Sequence, residues 1–194
     1  MKILVKNCFH WIGFHLVSHL LEEGIAIDGI DQLNTNKKQF LNMFFGRNDR
    51  FNLLENDTCH DNPYDLIIKI DNESENTAIL FERRCQTGVH KQSVIHLPVV
   101  IGEWMPGEEI AQHEKLRAVN ALDRAIHIDS LVKVIYQWIK TNPHMPDTLK
   151  IISSHTEDLP SDKLEKYVCL RDNRAIWNDV NEILDHYYRF KSFY

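Results

Sequence analysis

Met1-Lys2-Ile3-Leu4-Val5-Lys6-Asn7-Cys8-Phe9-His10-Trp11-Ile12-Gly13 opens the chain, and the reading of this stretch through Asp31 decides the fold. Ile3, Leu4 and Val5 form a short apolar, β-branched run, the mark of a buried strand. Ile12, Leu16 and Leu20 then recur four apart with Val17 and Leu21 beside them, which is one face of an amphipathic helix. Glu22-Glu23-Gly24 reads as the helix end, with the glycine just past it. Ala26 to Ile30 is a second buried strand, closed by Asp31. Strand, turn, helix, strand and an acid about twenty residues past the turn make the ground plan of a dinucleotide-binding βαβ unit.

Composition bounds the alternatives. At 194 residues the chain is long enough for one domain with a full core, and 43% hydrophobic with 26% charged residues is ordinary for a globular protein. A net charge of −6 and no basic stripe argue against nucleic acid as the partner. No apolar run reaches membrane-spanning length and the first residues enter a strand directly, so the expectation is a cytoplasmic protein with no membrane partner. Cys8, Cys59, Cys85 and Cys169 have no C-x-x-C spacing and read as packed, reduced thiols.

The wording of the opening is closer than its plan. Met1–Asn34 resembles the N-terminus of the extended short-chain dehydrogenase/reductases, the NAD-dependent sugar-nucleotide epimerases and dehydratases. Those chains open M-K-I-L-V-T-G-G-x-G-F-I-G-S-H-L and reach G-I-D-N-L-N at the second strand. Ile12, Gly13, His15 and Leu16 match, as do Gly29-Ile30-Asp31, Leu33 and Asn34. Asn7 and His10 stand at the first two fingerprint glycines, and Lys6 replaces the usual threonine. Glycines there let a backbone turn tightly and approach a pyrophosphate. The residues left to meet a cofactor are Trp11, Ile12, Gly13 and Asp31. With Cys8, Phe9, His10 and Trp11 crowding the turn, the expectation is no bound cofactor, NAD or NADP being the cofactor if a dinucleotide still binds. Asp31 would meet an adenosine ribose or cap a neighbouring turn, and Lys6 would attract a phosphate or stand as a rim charge.

Further on, Leu66-Ile67-Ile68-Lys69-Ile70-Asp71 is similar to the family's fourth strand, with Lys69 and Asp71 in place of histidine and a small residue. Ile95-His96-Leu97-Pro98-Val99-Val100-Ile101-Gly102, inside a strand read over Val94–Val100, looks like L-R-L-P-N-V-Y-G. Val99 and Ile101 there replace the substrate-contacting asparagine and the tyrosine. Arg124 to Leu131 is similar to R-D-F-V-H-V-D-D-V, and Leu149 to Ser154 to a late strand. Between the fourth strand and Val94 there is room for one helix, read over Thr77–Gln86, where the family holds helix, strand and helix with the catalytic Ser or Thr and Tyr-x-x-x-Lys. That catalytic segment reads as deleted.

Other elements are read as helices over Gln39–Phe45, Ile110–Val119, Leu159–Val168 and Ile176–Phe190, a strand over Arg50–Leu54 and a loop over Thr58–Pro63. Tyr136 with Lys140, and Tyr187 with Lys191, match the catalytic letters but sit outside the catalytic context, so no catalytic residue is assigned. His15 and His19 share a helix face but lack a third ligand, so no metal is assigned.

The expected fold is α/β, a three-layer Rossmann-like parallel sheet with a small C-terminal lobe. It forms a single domain over 1–194, with its core about 1–100 plus 124–140 and the lobe from 101–123 and 141–194. The expected function is a catalytically degenerate relative, a pseudoenzyme kept as a binding or regulatory module. The alternatives are an active NAD(P)-dependent nucleotide-sugar epimerase or reductase, and a subunit of a sugar-nucleotide-modifying complex. A nucleotide sugar, a protein partner or a homodimer through Thr77–Gln86 are the expected associations.

Overall fold

The computed structural model describes residues 1–55, 64–71, 77–84, 90–107, 125–141, 145–154, 166–171 and 176–194. The opening βαβ unit forms as its pattern requires. Strand β1 (Ile3–Lys6) leads through a tight turn into helix α1 (Trp11–Glu22) and then strand β2 (Ile27–Ile30), parallel to β1. Helix α1 ends on Gly24, whose φ of 81° is open to glycine without strain. The Gly24 N–H bonds Leu21 O and the Ile25 N–H bonds Leu20 O, a Schellman closure that satisfies the last carbonyls. Helix α2 (Asn36–Phe45) follows, capped by the Thr35 hydroxyl, and then strand β3 (Phe51–Leu54).

Strand β4 (Leu66–Asp71) lies on the other side of β1, parallel to it. The next element corrects the sequence reading. The stretch read as a helix over Thr77–Gln86 is strand β5 (Ala78–Arg84), antiparallel both to β4 and to β6 (His90–His96). Ile79-Leu80-Phe81 is a strand-forming run whose alternate members reach the core: Ile79 and Phe81 are fully buried while Leu80 is half-buried. An interior strand paired on both sides offers neither a helix face nor a strand edge, so the expected interface at Thr77–Gln86 falls with the helix.

Strand β6 stops at His96, before Pro98, which has no N–H to give a ladder. The strand read over Val94–Val100 is therefore two: β7 (Val100–Ile101) pairs separately with β8 (Ile126–His127) in a small parallel sheet. Helix α3 (Ile128–Thr141) buries Ile128, Leu131, Val132, Ile135 and Ile139, a 3.6-residue stripe. Strand β9 (Thr148–Ser153) runs parallel to β6, and β10 (Tyr167–Leu170) parallel to β9. Tyr167 and Val168, read as the end of a helix, are thus strand residues, and 141–194 lends the main sheet two strands. Helix α4 (Ile176–Phe190) and a 3-10 turn (Lys191–Phe193) complete the described chain. The regions read as 58–63 loop, 110–119 helix and 159–165 helix lie outside the described residues.

The result is an α/β Rossmann-like fold with an eight-stranded sheet in the order β10-β9-β6-β5-β4-β1-β2-β3, parallel except at β5. Ile3, Val5, Ile27, Leu66, Ile68, Ile70, Ile79, Phe81, Ile95, Leu149 and Ile151 share one core with the buried residues of the four described helices. The opposite face carries a second, smaller cluster of Leu4, Tyr64 and Ile67. Among the described residues no helix is long and apolar enough to cross a membrane.

Candidate functional site

In a doubly wound sheet, ligands meet the carboxyl ends of the strands where the strand order reverses. Here that point lies between β1 and β4, because the chain passes from β1 out to β2 and β3 and then returns to the far side of β1. The β1–α1 turn closes one side of it. Asn7 adopts φ 58°, the left-handed conformation a glycine would supply, and asparagine is among the side chains that tolerate it best. Gly13 keeps the close approach of helix to turn: a Cβ there would stand 2.5 Å from Asn7 O. The sharp turn therefore forms with Asn7 and His10 at the two positions where the resemblance expects glycine.

The N–H groups of residues 7–10 turn inward. The Asn7 and Cys8 N–H groups donate to Ile30 O, the Phe9 N–H to Asp31 Oδ2 and the His10 N–H to Asn7 O. All four turn donors are spent inside the protein. Cys8 and Phe9 are fully buried, with Phe9 against Phe45 and Phe51. Asn7 Nδ2 donates to Ile70 O at 2.7 Å, tying the turn to the end of β4. Burial pushes the Cys8 thiol well above its ordinary range, as befits a packing group.

The four residues expected to meet a cofactor all sit in packed interior. Trp11 and Ile12 are buried and Gly13 is pressed on the turn. Asp31, whose side chain is 2% exposed, accepts from the Phe9 N–H, the Gln32 N–H at 2.7 Å and Lys38 Nζ at 2.6 Å. Of its two expected roles it fills the structural one, with its oxygens engaged before any ribose arrives. His10 sits at the second glycine's place, at the N-cap of α1, with Nδ1 buried and unbonded. Burial, with Lys37 and Lys38 nearby, lowers its pKa to about 4, so it is neutral at pH 7. These residues do not fit a dinucleotide in the manner of the glycine-rich turn.

The tyrosine–lysine pairs lie elsewhere. Tyr136 stacks edge-on against His19, in the last turns of α1 and so at the opposite end of the sheet from the turn. A hydrogen bond to Glu23 raises its hydroxyl pKa, the reverse of what a catalytic phenol needs. Tyr187 packs on Tyr188 and Tyr194 beside Gly107.

A cluster that sequence reasoning missed covers the start of α1. Gly102 has no room for a Cβ beside Ile128 and Trp11. Two residues on, Trp104 adopts φ 64° and stacks on Tyr194. The Trp104 N–H donates to Tyr194 Oη at 2.7 Å, and that oxygen is also 2.7 Å from His186 Nδ1. Lys37 donates to Trp104 O and lies over the Tyr194 ring, while Phe193 stacks on Phe40. His15 Nε2 bonds Glu103 O, so one nitrogen of the His15–His19 pair is already committed. That pair lines a shallow pocket of about 220 Å³ between α1 and α3, with Ser18, Glu22, Asp129, Val132 and Lys133. Among the described residues no group of three or more His, Cys, Asp or Glu is arranged to hold a metal. The aromatic density of 186–194 and of Phe40, Phe44 and Phe45 was the available sequence signal.

No family model matches the chain, and no curated protein matches it.

Proposed function

We propose that this protein is a non-catalytic, Rossmann-like binding module related to the epimerase/dehydratase reductases, one that has kept the fold and given up the dinucleotide. A single observation carries the reading: every N–H of the 7–10 turn is bonded within the protein, and the acid that would take a ribose is bonded to that same turn. Displacing those bonds for a pyrophosphate would leave buried groups unpaired, at about 1–3 kcal/mol each. The antiparallel β5, standing where the resemblance places helix, strand and helix, supports the loss of chemistry as well. Such a module acts by binding a small molecule, a nucleotide sugar among the candidates, or by docking a protein partner or a second copy of itself.

Calorimetric titration with NAD and NADP tests this. The expected outcome is no saturable heat, a dissociation constant above about 1 mM. The double variant Asn7→Gly/His10→Gly should not rescue binding, because Asp31 still holds the Phe9 N–H. Low-micromolar affinity in the wild-type protein would overturn the reading.

A further inference from the structure

Residues 191–194 lie across an aromatic layer, and the Tyr194 hydroxyl ties them to two other elements. Phe193 stacks on Phe40 of α2 with ring centroids 4.0 Å apart, and Tyr194 stacks on Trp104 at 5.1 Å. The Trp104 N–H donates to Tyr194 Oη at 2.7 Å and takes its in-plane lone pair. The hydroxyl hydrogen is then left for His186 Nδ1, 2.7 Å away on α4. Nδ1 must accept, so the imidazole is neutral, with its proton on Nε2, which faces Glu103 Oε2 at 3.7 Å. A proton added to Nδ1 would set a second N–H against an oxygen that already accepts one and holds its own hydrogen. Trp104 gives the layer another reason to part. Its φ of 64° is costly for a bulky side chain and persists only while its surroundings hold it.

We infer that residues 191–194 form a strap that protonation of His186 releases, uncovering the buried Trp104 and Phe40 beside the already exposed Phe44. The surroundings of His186 favour that direction. Burial first, and then His15 on α1, Arg189 on α4 itself and Lys37 on α2, oppose a charged imidazole and lower its pKa to about 4. Glu103, two residues past β7, is the acid placed to hold the charge. Its own pKa is raised by burial, with Asp129 and Glu182 adding to the shift and Arg189 opposing it, so it takes up a proton early as pH falls. Burial pushes the Tyr194 hydroxyl up as well, and it keeps the hydrogen it donates. Freed from the layer, His186 returns toward its ordinary 6.5. The closed strap is therefore at full strength above pH 6.5 and weakens as pH falls toward 4. His186 alone favours opening about tenfold more at pH 5.5 than at pH 7.5.

Hydrogen exchange of the Trp104 amide, followed by NMR in the full chain and corrected for the intrinsic pH dependence of exchange, reads the opening. Its protection should fall about five- to tenfold from pH 7.5 to pH 5.5, Glu103 opposing His186 in part. At both pH values it should exchange faster than the Ile68 amide of the interior strand β4, which marks a local opening rather than unfolding. His186→Gln still offers Tyr194 an acceptor but takes no proton, and should hold the pH response of Trp104 within about twofold. Tyr194→Phe, the second variant, keeps the ring stack without the hydroxyl and should expose the Trp104 amide about tenfold more at pH 7.5. Imidazole nitrogen shifts of the wild-type protein should show His186 Nδ1 unprotonated at neutral pH. A protonated Nδ1 there, an unchanged Trp104 protection between the two pH values, or a full pH response in His186→Gln would overturn the strap. Binding of NAD, or its absence, bears on the turn and leaves the strap untouched.

Discussion

The two sides of one strand end have gone opposite ways. On the helix side of β1, the turn has drawn Cys8 and Phe9 inside and tied Asp31, Asn7 and His10 to its own backbone. On the other side, one step back along the strand, Lys6 stands in register with Lys69, each with an apolar outer neighbour. The difference teaches what a turn of this kind needs in order to bind. Its sharp geometry survives on one asparagine and one glycine, but its anion site depends on N–H groups left unspent.

The contrast breaks most readily at Gly13. Gly13→Ala drives a Cβ to 2.5 Å from a backbone oxygen that cannot move without opening the turn, and should cost about 3 kcal/mol or more, read as a lower urea midpoint. A near-neutral result would show the turn to be loosely held. Asp31→Asn comes next. It removes the charge that pairs with Lys38 and turns one buried acceptor into a donor, at about 2 kcal/mol.

Acid sharpens the comparison further. His10 and His186 both have folded pKa values lowered to about 4 from an ordinary 6.5, mainly by burial. The unfolded chain therefore binds protons that the folded protein refuses, and stability is lost as pH falls from 6.5 toward 4. The slope should reach up to about 1.4 kcal/mol per pH unit for each histidine. His15, also lowered by burial, adds in the same direction. Glu103, raised by burial, opposes it by taking its proton earlier in the folded state. Urea unfolding across that range checks the sign, and His10→Gln should flatten part of the slope. The smallest effect belongs to the other face: Lys69→Met should change stability by no more than about 0.5 kcal/mol, since among the described residues that ammonium makes no hydrogen bond or ion pair.

Much of the first half was legible because local and global signals agree there. The β-branched run at Ile3–Val5, the four-residue recurrence along α1 and Gly24 at its end each point the same way. The middle was misread because Ala78, Phe81 and Cys85 imitate a helical spacing. The β-forming Ile79-Leu80-Phe81, pairing on both sides at once, decides for a strand. At the turn, the sequence showed Asn7 and His10 where the resemblance expects glycine. It could not say that Asn7 would hold the left-handed conformation, or that Asp31 would reach Phe9 and Lys38, since those contacts span 22 and 7 residues. The Trp104–His186–Tyr194 cluster was hidden for the same reason, joining side chains 90 residues apart. The Lys6–Lys69 pair needed the register of β1 on β4, which no local pattern carries.

The central claim is that the β1–α1 turn is closed to a dinucleotide, and amide resonances of the isotopically labelled protein read that turn residue by residue. Titration with NAD and NADP to about 1 mM should leave the Asn7 to His10 amides where they are, their partners being Ile30, Asp31 and Asn7 itself. Saturable shifts of the Phe9, His10 and Gly13 amides, with the Asp31 contact released, would contradict the account.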